Sequence, residues 1–346
     1  MRTLDEEDFS LIHALQLRPR ATWTQLAGAL GTTPSTLSRR WDQLRADGSA
    51  WVMAYPRVQG LHGNQLAIAE ISCVSGHASG LARELATWPT VVTVEESARE
   101  YSLVVTIVGL SLQDLAGLIL DDLPGLPGVL GVRTHLVAKA HIDASSWRIG
   151  GLDHQRAQAV SRLPLTGGAE DRPVTLNPWA DPHVDLARAL AEDGRRTAAD
   201  LARLTDRPLS TVRRQLGHLL SSDALTFRCE VAQGLTAAPI VVQWWCHVPI
   251  TDVPACVSHL RTVPSVRQVV SIPGRANLLV STWSRSASDA MGMQQRLEHD
   301  LAPLQVVDSA VILRQVKRLG WMLDHLGRNT GVFVPYTAGG RVSDGS

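Results

Sequence analysis

The chain has 346 residues, 45% of them hydrophobic and 19% charged, with 33 Lys+Arg against 33 Asp+Glu. That length accommodates about two domains or more, each with a real core. A net charge of zero excludes a chain that is basic throughout and leaves room for a local basic face.

In chain order, the first segments are helical by period. Leu4, Phe9, Ile12, Leu15 and Leu17 suit an amphipathic helix opened by the acidic run from Asp5 to Asp8. Thr22-Trp23-Thr24-Gln25 has the spacing of a capping box, so a short helix over 25–30 follows and stops at Gly31. A third helix is expected from Pro34 to about residue 46, before Gly48. Leu37, Trp41 and Leu44 form its core stripe. Ser35, Thr36 and Arg39 point the opposite way, with Ser38 and Arg40 beside them. Two helices joined by a short turn, the second bearing hydroxyls and arginines on its outer face, is what a helix-turn-helix DNA reader requires. A merely solvated charged face is the alternative.

From residue 66 the pattern changes to strand periods and apolar runs. A strand at 66–74, a helix at 78–88, strands at 91–97 and 103–108, a helix at 111–123 and a strand at 129–138 are expected. The order β-α-β-β-α-β is the ferredoxin-like split unit, whose sheet has one face free for a partner. Residues 148–178, with Gly150-Gly151, Gly167-Gly168 and Asp171-Arg172-Pro173, suit a linker carrying a short helix at 153–163.

The chain then repeats itself. At an offset of 175, residues 11–44 and 186–219 share 11 of 34 identities without a gap, including Ser35/Ser210, Thr36/Thr211 and Arg39/Arg214. The second third-helix therefore turns Ser210, Thr211, Arg213 and Arg214 outward, and Val212, Leu216 and Leu219 inward. Residues 20–57 hold five basic and two acidic side chains and residues 195–230 seven and four, so each helical segment is net +3. The fold class expected is α+β: two helix-turn-helix (winged-helix-like) domains and two ferredoxin-like domains, their sheets packed as a fused pseudo-dimer. The boundaries are 1–58 and 59–147, a linker at 148–178, then 179–232 and 233–328, with a flexible tail at 329–346.

This order resembles the Lrp/AsnC (feast/famine) family of transcription regulators. Leu4-Asp5, Asp8, Leu15-Gln16, Arg20, Leu26-Ala27, Gly31, Arg40, Leu44 and Gly48 sit where that family's N-terminal pattern places such residues. Its effector turn, Gly-x-x-Asp, corresponds to Gly274-Arg275-Ala276-Asn277 in the second copy and to Arg99-Glu100-Tyr101-Ser102 in the first. The resemblance implies double-stranded DNA as partner and an amino acid or small metabolite as effector. It places that effector near Gly274, Arg275, Asn277, Arg99 and Ser102, and implies homo-oligomers of fused chains. The copies depart from the family: the first effector turn lacks its glycine, Asn277 replaces Asp, Asp206 stands for the turn Gly, and Gln215 for the flanking Arg. A ligand-sensing or scaffold protein with vestigial DNA modules is the alternative. Sirohaem decarboxylases share the layout and rely on a histidine-bearing strand-turn-strand segment, but residues 94–101 and 269–274 have no histidine, so no enzyme is expected.

Other signals read as structural. Asp181-Pro182-His183-Val184-Asp185 suits a capped helix start better than a metal site. The run 123–128 lacks the residues of a phosphate loop, and Trp244, Trp245 and Trp283 suit sheet core. Cys73, Cys229, Cys246 and Cys256 are unpaired in pattern and expected to be buried thiols. No cofactor, no metal and no membrane partner are expected. The acidic N-terminus without an apolar leader suits a cytoplasmic chain.

Overall fold

A computed structural model describes residues 3–57, 65–109, 111–164, 178, 180–222 and 224–336. The first half runs α1 (Glu6–Leu17), α2 (Trp23–Leu30), α3 (Pro34–Ala46), β1 (Ala50–Pro56), β2 (Gln65–Cys73) and α4 (Ala78–Thr87). It continues with β3 (Val91–Ser97), β4 (Leu103–Gly109), α5 (Leu112–Ala116, prolonged as a π-helix over Gly117–Asp122), β5 (Val129–Leu136) and β6 (Lys139–Ile142). After α6 (His154–Ser161) the order recurs: α7 (Val184–Glu192), α8 (Ala198–Thr205), α9 (Leu209–Ser221), β7 (Leu225–Val231), β8 (Ile240–His247) and α10 (Val253–Leu260). Then come β9 (Val266–Ser271), β10 (Leu278–Ser284), α11 (Ala287–Asp300) and β11 (Gln305–Arg318), with β12 (Trp321–Leu323) and β13 (Asn329–Phe333) paired at the end.

These elements assort by kind. One unit comprises Met1–His62 and Arg148–Leu235, the other Gly63–Trp147 and Thr236–Ser346.

The helical unit holds both helix-turn-helix modules. Each packs its leucines inward: Leu11, Leu15, Leu26, Leu37, Trp41 and Leu44 in the first, Leu186, Leu190, Leu201, Val212 and Leu219 in the second, all nearly inaccessible. Burying such a side chain fully stabilises by about 1.5–3 kcal/mol. Two strands absent from the sequence expectation, β1 and β7, pair antiparallel from Ala50↔Val231 to Pro56↔Leu225. β1 is an apolar run buried on both faces, which hides any period-2 signal, whereas β7 alternates apolar and polar residues from Leu225 to Val231, a signal that was available. The strands are exchanged: β1 lies against α7 and β7 against α1, and Ala54 joins the core of the second module. The expected helix at 153–163 is α6, capped by Asp153 and packed on α1 and α2. Around it Gln16 and His13 accept the backbone N–H groups of Ile149 (2.8 Å) and Leu152 (3.0 Å). Burial, with Arg148 nearby, pulls the His13 pKa down to about 4, which keeps the ring neutral and able to accept.

The sheet unit contains two half-sheets, β5-β2-β4-β3 and β11-β8-β10-β9. On one face of each lie the helices: Ala67, Ala69, Ile71, Leu103, Val105 and Ile107 meet α4 and α5, and Val242, Trp244, Cys246, Leu278 and Val280 meet α10 and α11. The last strand of each copy crosses to the other half. β11 pairs β8 up to Ile312 and then β3 up to Arg318, while β6 continues β5 and pairs β9. Gln243 donates to the Glu95 carboxylate although their partners on β11, Ala310 and Gln315, are five residues apart. Such a span is about 17 Å when extended, so β11 bends and the helix-free faces meet. Ile68, Val104, Val241, Val270 and Leu279 are buried there.

Trp244, Trp245 and Trp283 are sheet core as expected, Trp244 on the helix side and the other two buried on the helix-free faces, with Arg99 4.5 Å and Arg267 3.8 Å from the ring centres of Trp245 and Trp283. Their indole faces are negative enough to hold a cation. Other expectations need correction. Asp181 caps no helix; α7 starts at Val184 with His183 at the N-cap position and no side-chain cap bond, and Asp185 in its first turn accepts from Arg207 at 2.7 Å. The tail expected from residue 329 begins as β13, whose Phe333 ring packs on Trp321; residues 337–346 lie outside the described residues, as do Gly167-Gly168 and Asp171-Arg172-Pro173. The four cysteines are free, but Cys73 is only partly buried.

Candidate nucleic-acid interface

The two modules build their turns by the same rules. Thr22 and Thr197 close capping boxes with Gln25 and Asp200, as their spacing demands. Each first helix then ends on a left-handed residue: Gly31 at φ 68° and, in the second copy, Asp206 at φ 50°. Asp tolerates that conformation better than most side chains, so the lost glycine has not altered the turn.

Beyond the turn the copies diverge. In the first module Thr33 caps α3 by accepting from Thr36 N–H at 3.2 Å. Its hydroxyl also bonds Ser35 Oγ at 3.0 Å and Thr36 Oγ1 at 2.8 Å. Ser35 and Arg39 are exposed, and Thr36 and Ser38 half-exposed. Arg40 does not face outward freely. Its guanidinium binds Asp5 at 2.9 Å, Asp8 at 3.0 Å and Glu7, so the acidic first turn of α1 holds it. In the second module Pro208 precedes α9 and provides no side-chain cap. Ser210, Arg213 and Arg214 are exposed and Thr211 half-exposed. Gln215, at the place of Arg40, is buried. Arg39, Arg213 and Arg214 form no ion pair among the described residues.

A reciprocal clamp joins the modules. Arg20 donates to the carbonyls of Gly194 and of Arg196 (3.0 Å), while Arg195 donates to those of Pro19 (2.6 Å) and Ala21 (2.9 Å). Under the 175-residue offset these are the same contacts made in both directions. Arg195 also lies 4.0 Å from the Trp23 ring centre and Arg20 5.4 Å from that of Phe227. Burial pulls both pKa values down to about 10, so both stay charged at neutral pH. Sequence inspection missed the clamp, although the identity of Arg20 and Arg195 in the repeat was an available signal.

In the sheet unit, Gly274 (φ 139°) opens the second effector turn, and Asn277 bonds Val248 twice, accepting at 2.9 Å and donating at 2.7 Å. Asn277 thus shapes the turn, and exposed Arg275 lends its carbonyl to His247. In the first copy Arg99 stands where Gly274 stands in the second, without positive φ, and turns inward to bind Glu70 and Asp308 (2.6 Å). Glu70 is 1% exposed and also holds His135 at 2.8 Å. Ser102 closes the turn through its carbonyl, which accepts from Ser97 N–H. No hydrogen bond or ion pair joins the two turns among the described residues.

Comparison with known proteins matches the AsnC-type helix-turn-helix domain over residues 4–45 and the Lrp/AsnC ligand binding domain over residues 66–147. An HTH-type transcriptional regulator FL11 from Pyrococcus horikoshii is 30% identical over 141 residues, 40% of this chain and 91% of that protein. Its counterpart from Pyrococcus furiosus is 30% identical over 139 residues, 40% and 91% of the two chains. In fold, the siroheme decarboxylase NirDL is similar over 91% of this chain and 93% of its own, at 13% identity and a TM-score of 0.57. With 91% of a 30%-identical regulator spanned and both family domains matched in order, the chain belongs to the Lrp/AsnC family.

Proposed function

We propose that this chain is a DNA-binding transcription regulator that presents two non-identical recognition helices, α3 and α9, from one polypeptide. The observation that carries this function is the clamp of Arg20 and Arg195 together with the β1–β7 pairing, which holds both outward helices in one unit. Ser35, Thr36, Ser38 and Arg39 on one helix, and Ser210, Thr211, Arg213 and Arg214 on the other, supply donors to phosphates and base edges. Unlike helices demand an operator with unlike halves. Footprinting of a high-affinity site followed by base-pair scanning tests this. Halves of unequal sensitivity are expected, and a perfect palindrome equally sensitive in both halves would overturn it.

Residues 1–58 and 179–232 are assigned to DNA binding, and 59–147 and 233–328 to pairing and to sensing an amino acid or small metabolite. For the effector, Gly274 and the exposed Arg275 are better placed than Arg99 or Asn277, whose side chains are already bonded. Association of fused chains through this unit follows the family pattern.

A decarboxylase-like activity is the second reading, favoured by the whole-chain fold likeness to NirDL. A porphyrin absorption band on the purified protein, with turnover of the porphyrin carboxylates, would establish it. The histidine-free segments 94–101 and 269–274 weigh against it.

A further inference from the structure

We infer that the second helix-turn-helix module supplies most of the DNA affinity and that the first contributes little charge to it; this rests on the DNA-binding function proposed above. By sequence residues 20–57 and 195–230 are equal, each net +3. The structure distributes that charge unequally.

In the first module Arg20 is buried against carbonyls and Arg40 is neutralised by Asp5, Glu7 and Asp8. Arg45 pairs with Asp193 at 3.2 Å. On α3 that leaves Arg39, and the exposed Asp42 follows it by three residues on the same helix face. The outward face of α3 is therefore electrically near zero, beside exposed Glu6 and Glu7 at the start of α1, where Glu7 reaches Arg40.

The second module also binds up many of its arginines: Arg195 on carbonyls, Arg196 on Glu192, Arg203 on Asp200, Arg207 on Asp185 and Arg228 on Glu230. These pairs use the acids as well. α9 itself has no acidic residue, and it keeps Arg213 and Arg214 exposed and unpaired, with His218 exposed one turn on. Asp206, exposed in the preceding turn, offsets part of that charge.

The hydroxyls follow the same division. Ser35 and Thr36 are both engaged by Thr33, whereas Ser210 and Thr211 have no hydrogen-bond partner among the described residues. A phosphate approaching α9 meets two free cations and two free hydroxyls. Approaching α3 it meets one cation, one nearby carboxylate and two hydroxyls that each already bond Thr33. Since phosphate contacts set most of the sequence-independent affinity, the second module is the anchor, and the first adds alignment and discrimination.

Binding of the full chain to a random-sequence duplex of about 40 base pairs, titrated against salt, tests this. Arg213→Ala with Arg214→Ala should weaken binding by about 30-fold at low salt and lower the slope of log K against log salt by about 2. Arg39→Ala should cost no more than about threefold, and Asp42→Asn should tighten binding by about twofold. These side chains are exposed, so unchanged thermal unfolding is expected and serves as the control for folding. An Arg39→Ala loss equal to that of the second-module pair overturns the inference while leaving the DNA-binding function intact. A wild-type chain that binds no duplex at low salt overturns both.

Discussion

In the helical unit β1 of the first copy covers the second copy's core and β7 returns the exchange, and in the sheet unit β11 and β6 cross between half-sheets in the same reciprocal way. What fastens the exchange differs. The helical unit uses Arg20 and Arg195, both aimed at backbone carbonyls. A carbonyl is present whatever side chain its residue bears, so the clamp survived while the copies diverged around it. The sheet unit uses side chain against side chain, and there the copies no longer correspond. The offset of 175 places Glu70 opposite Trp245, Arg99 opposite Gly274, His135 opposite Ala310 and Ile142 opposite Lys317. Arg99 binds Glu70 in its own copy and Asp308 and Trp245 in the other, a contact that two like halves would not make. Symmetry persists where the backbone is the target and decays where side chains are.

Breaking the symmetric fastener should have the largest effect. Arg20→Ala with Arg195→Ala removes four guanidinium–carbonyl bonds at about 1 kcal/mol each, plus two ring contacts of ~0.5–1 kcal/mol. Denaturant unfolding of that double variant should show a loss of about 5–6 kcal/mol in the helical unit, with strongly non-additive single variants. If the loss stays below 1 kcal/mol, the strand pairing alone holds the modules.

The asymmetric fastener is tested next. Arg99→Met leaves Glu70 in place with its remaining contacts to His135 and Arg133, and should destabilise by about 2–4 kcal/mol. Adding Glu70→Gln removes the stranded charge and should restore part of that stability. Failure of the second change to restore any would mean that Arg99 acts by packing on Trp245.

Lys317 sharpens the comparison with the smallest change. It is inaccessible, donates to the Trp88 carbonyl at 2.9 Å, and occupies the position that Ile142 fills in the first copy. Burial pulls its pKa from 10.5 down to about 7. Below pH 7 the lysine is charged in both folded and unfolded chains, and the cost of burying that charge is fully felt. From pH 7 to 10.5 the unfolded chain binds the extra proton, so stability rises with pH. Lys317→Ile should therefore raise the unfolding temperature at pH 6, by about 1–3 kcal/mol of stability, and the advantage should shrink by pH 10. The Trp88 carbonyl keeps the Val91 N–H, so its loss of the lysine is tolerable. A variant less stable than wild type at pH 6 would refute this account.

The helices of both modules, the capping boxes of α2 and α8, and the strand and helix order of both ferredoxin-like segments were legible from local pattern. Thr22-x-x-Gln25 and Thr197-x-x-Asp200 fold as their spacing demands, because a cap is satisfied within four residues. The third helix occupies the expected residues Pro34–Ala46, and β3 the expected Val91–Ser97. β1 was not legible, since a strand buried on both faces carries no alternation, but the apolar–polar alternation of β7 from Leu225 to Val231 was an available signal.

Among the site residues, local pattern identified Ser35, Thr36, Arg39, Ser210, Thr211, Arg213 and Arg214 as outward, and their exposure in full or in part agrees. It also placed Arg40 beside them as a DNA contact and counted residues 20–57 and 195–230 as equally basic. Those two points belong to tertiary structure. A sequence lists its charges, but which of them remain free depends on contacts between distant residues. Only the fold brings Asp5, Glu7 and Asp8 onto Arg40 across more than thirty positions, Asp193 onto Arg45 across nearly 150, and Arg99 between Glu70 and Asp308. Ionic pairing acts over a few ångströms of space regardless of separation along the chain, so the sequence alone determined the helices and the order of the ferredoxin-like elements, and the folded packing decided the strand exchange and which cations remain available to meet DNA.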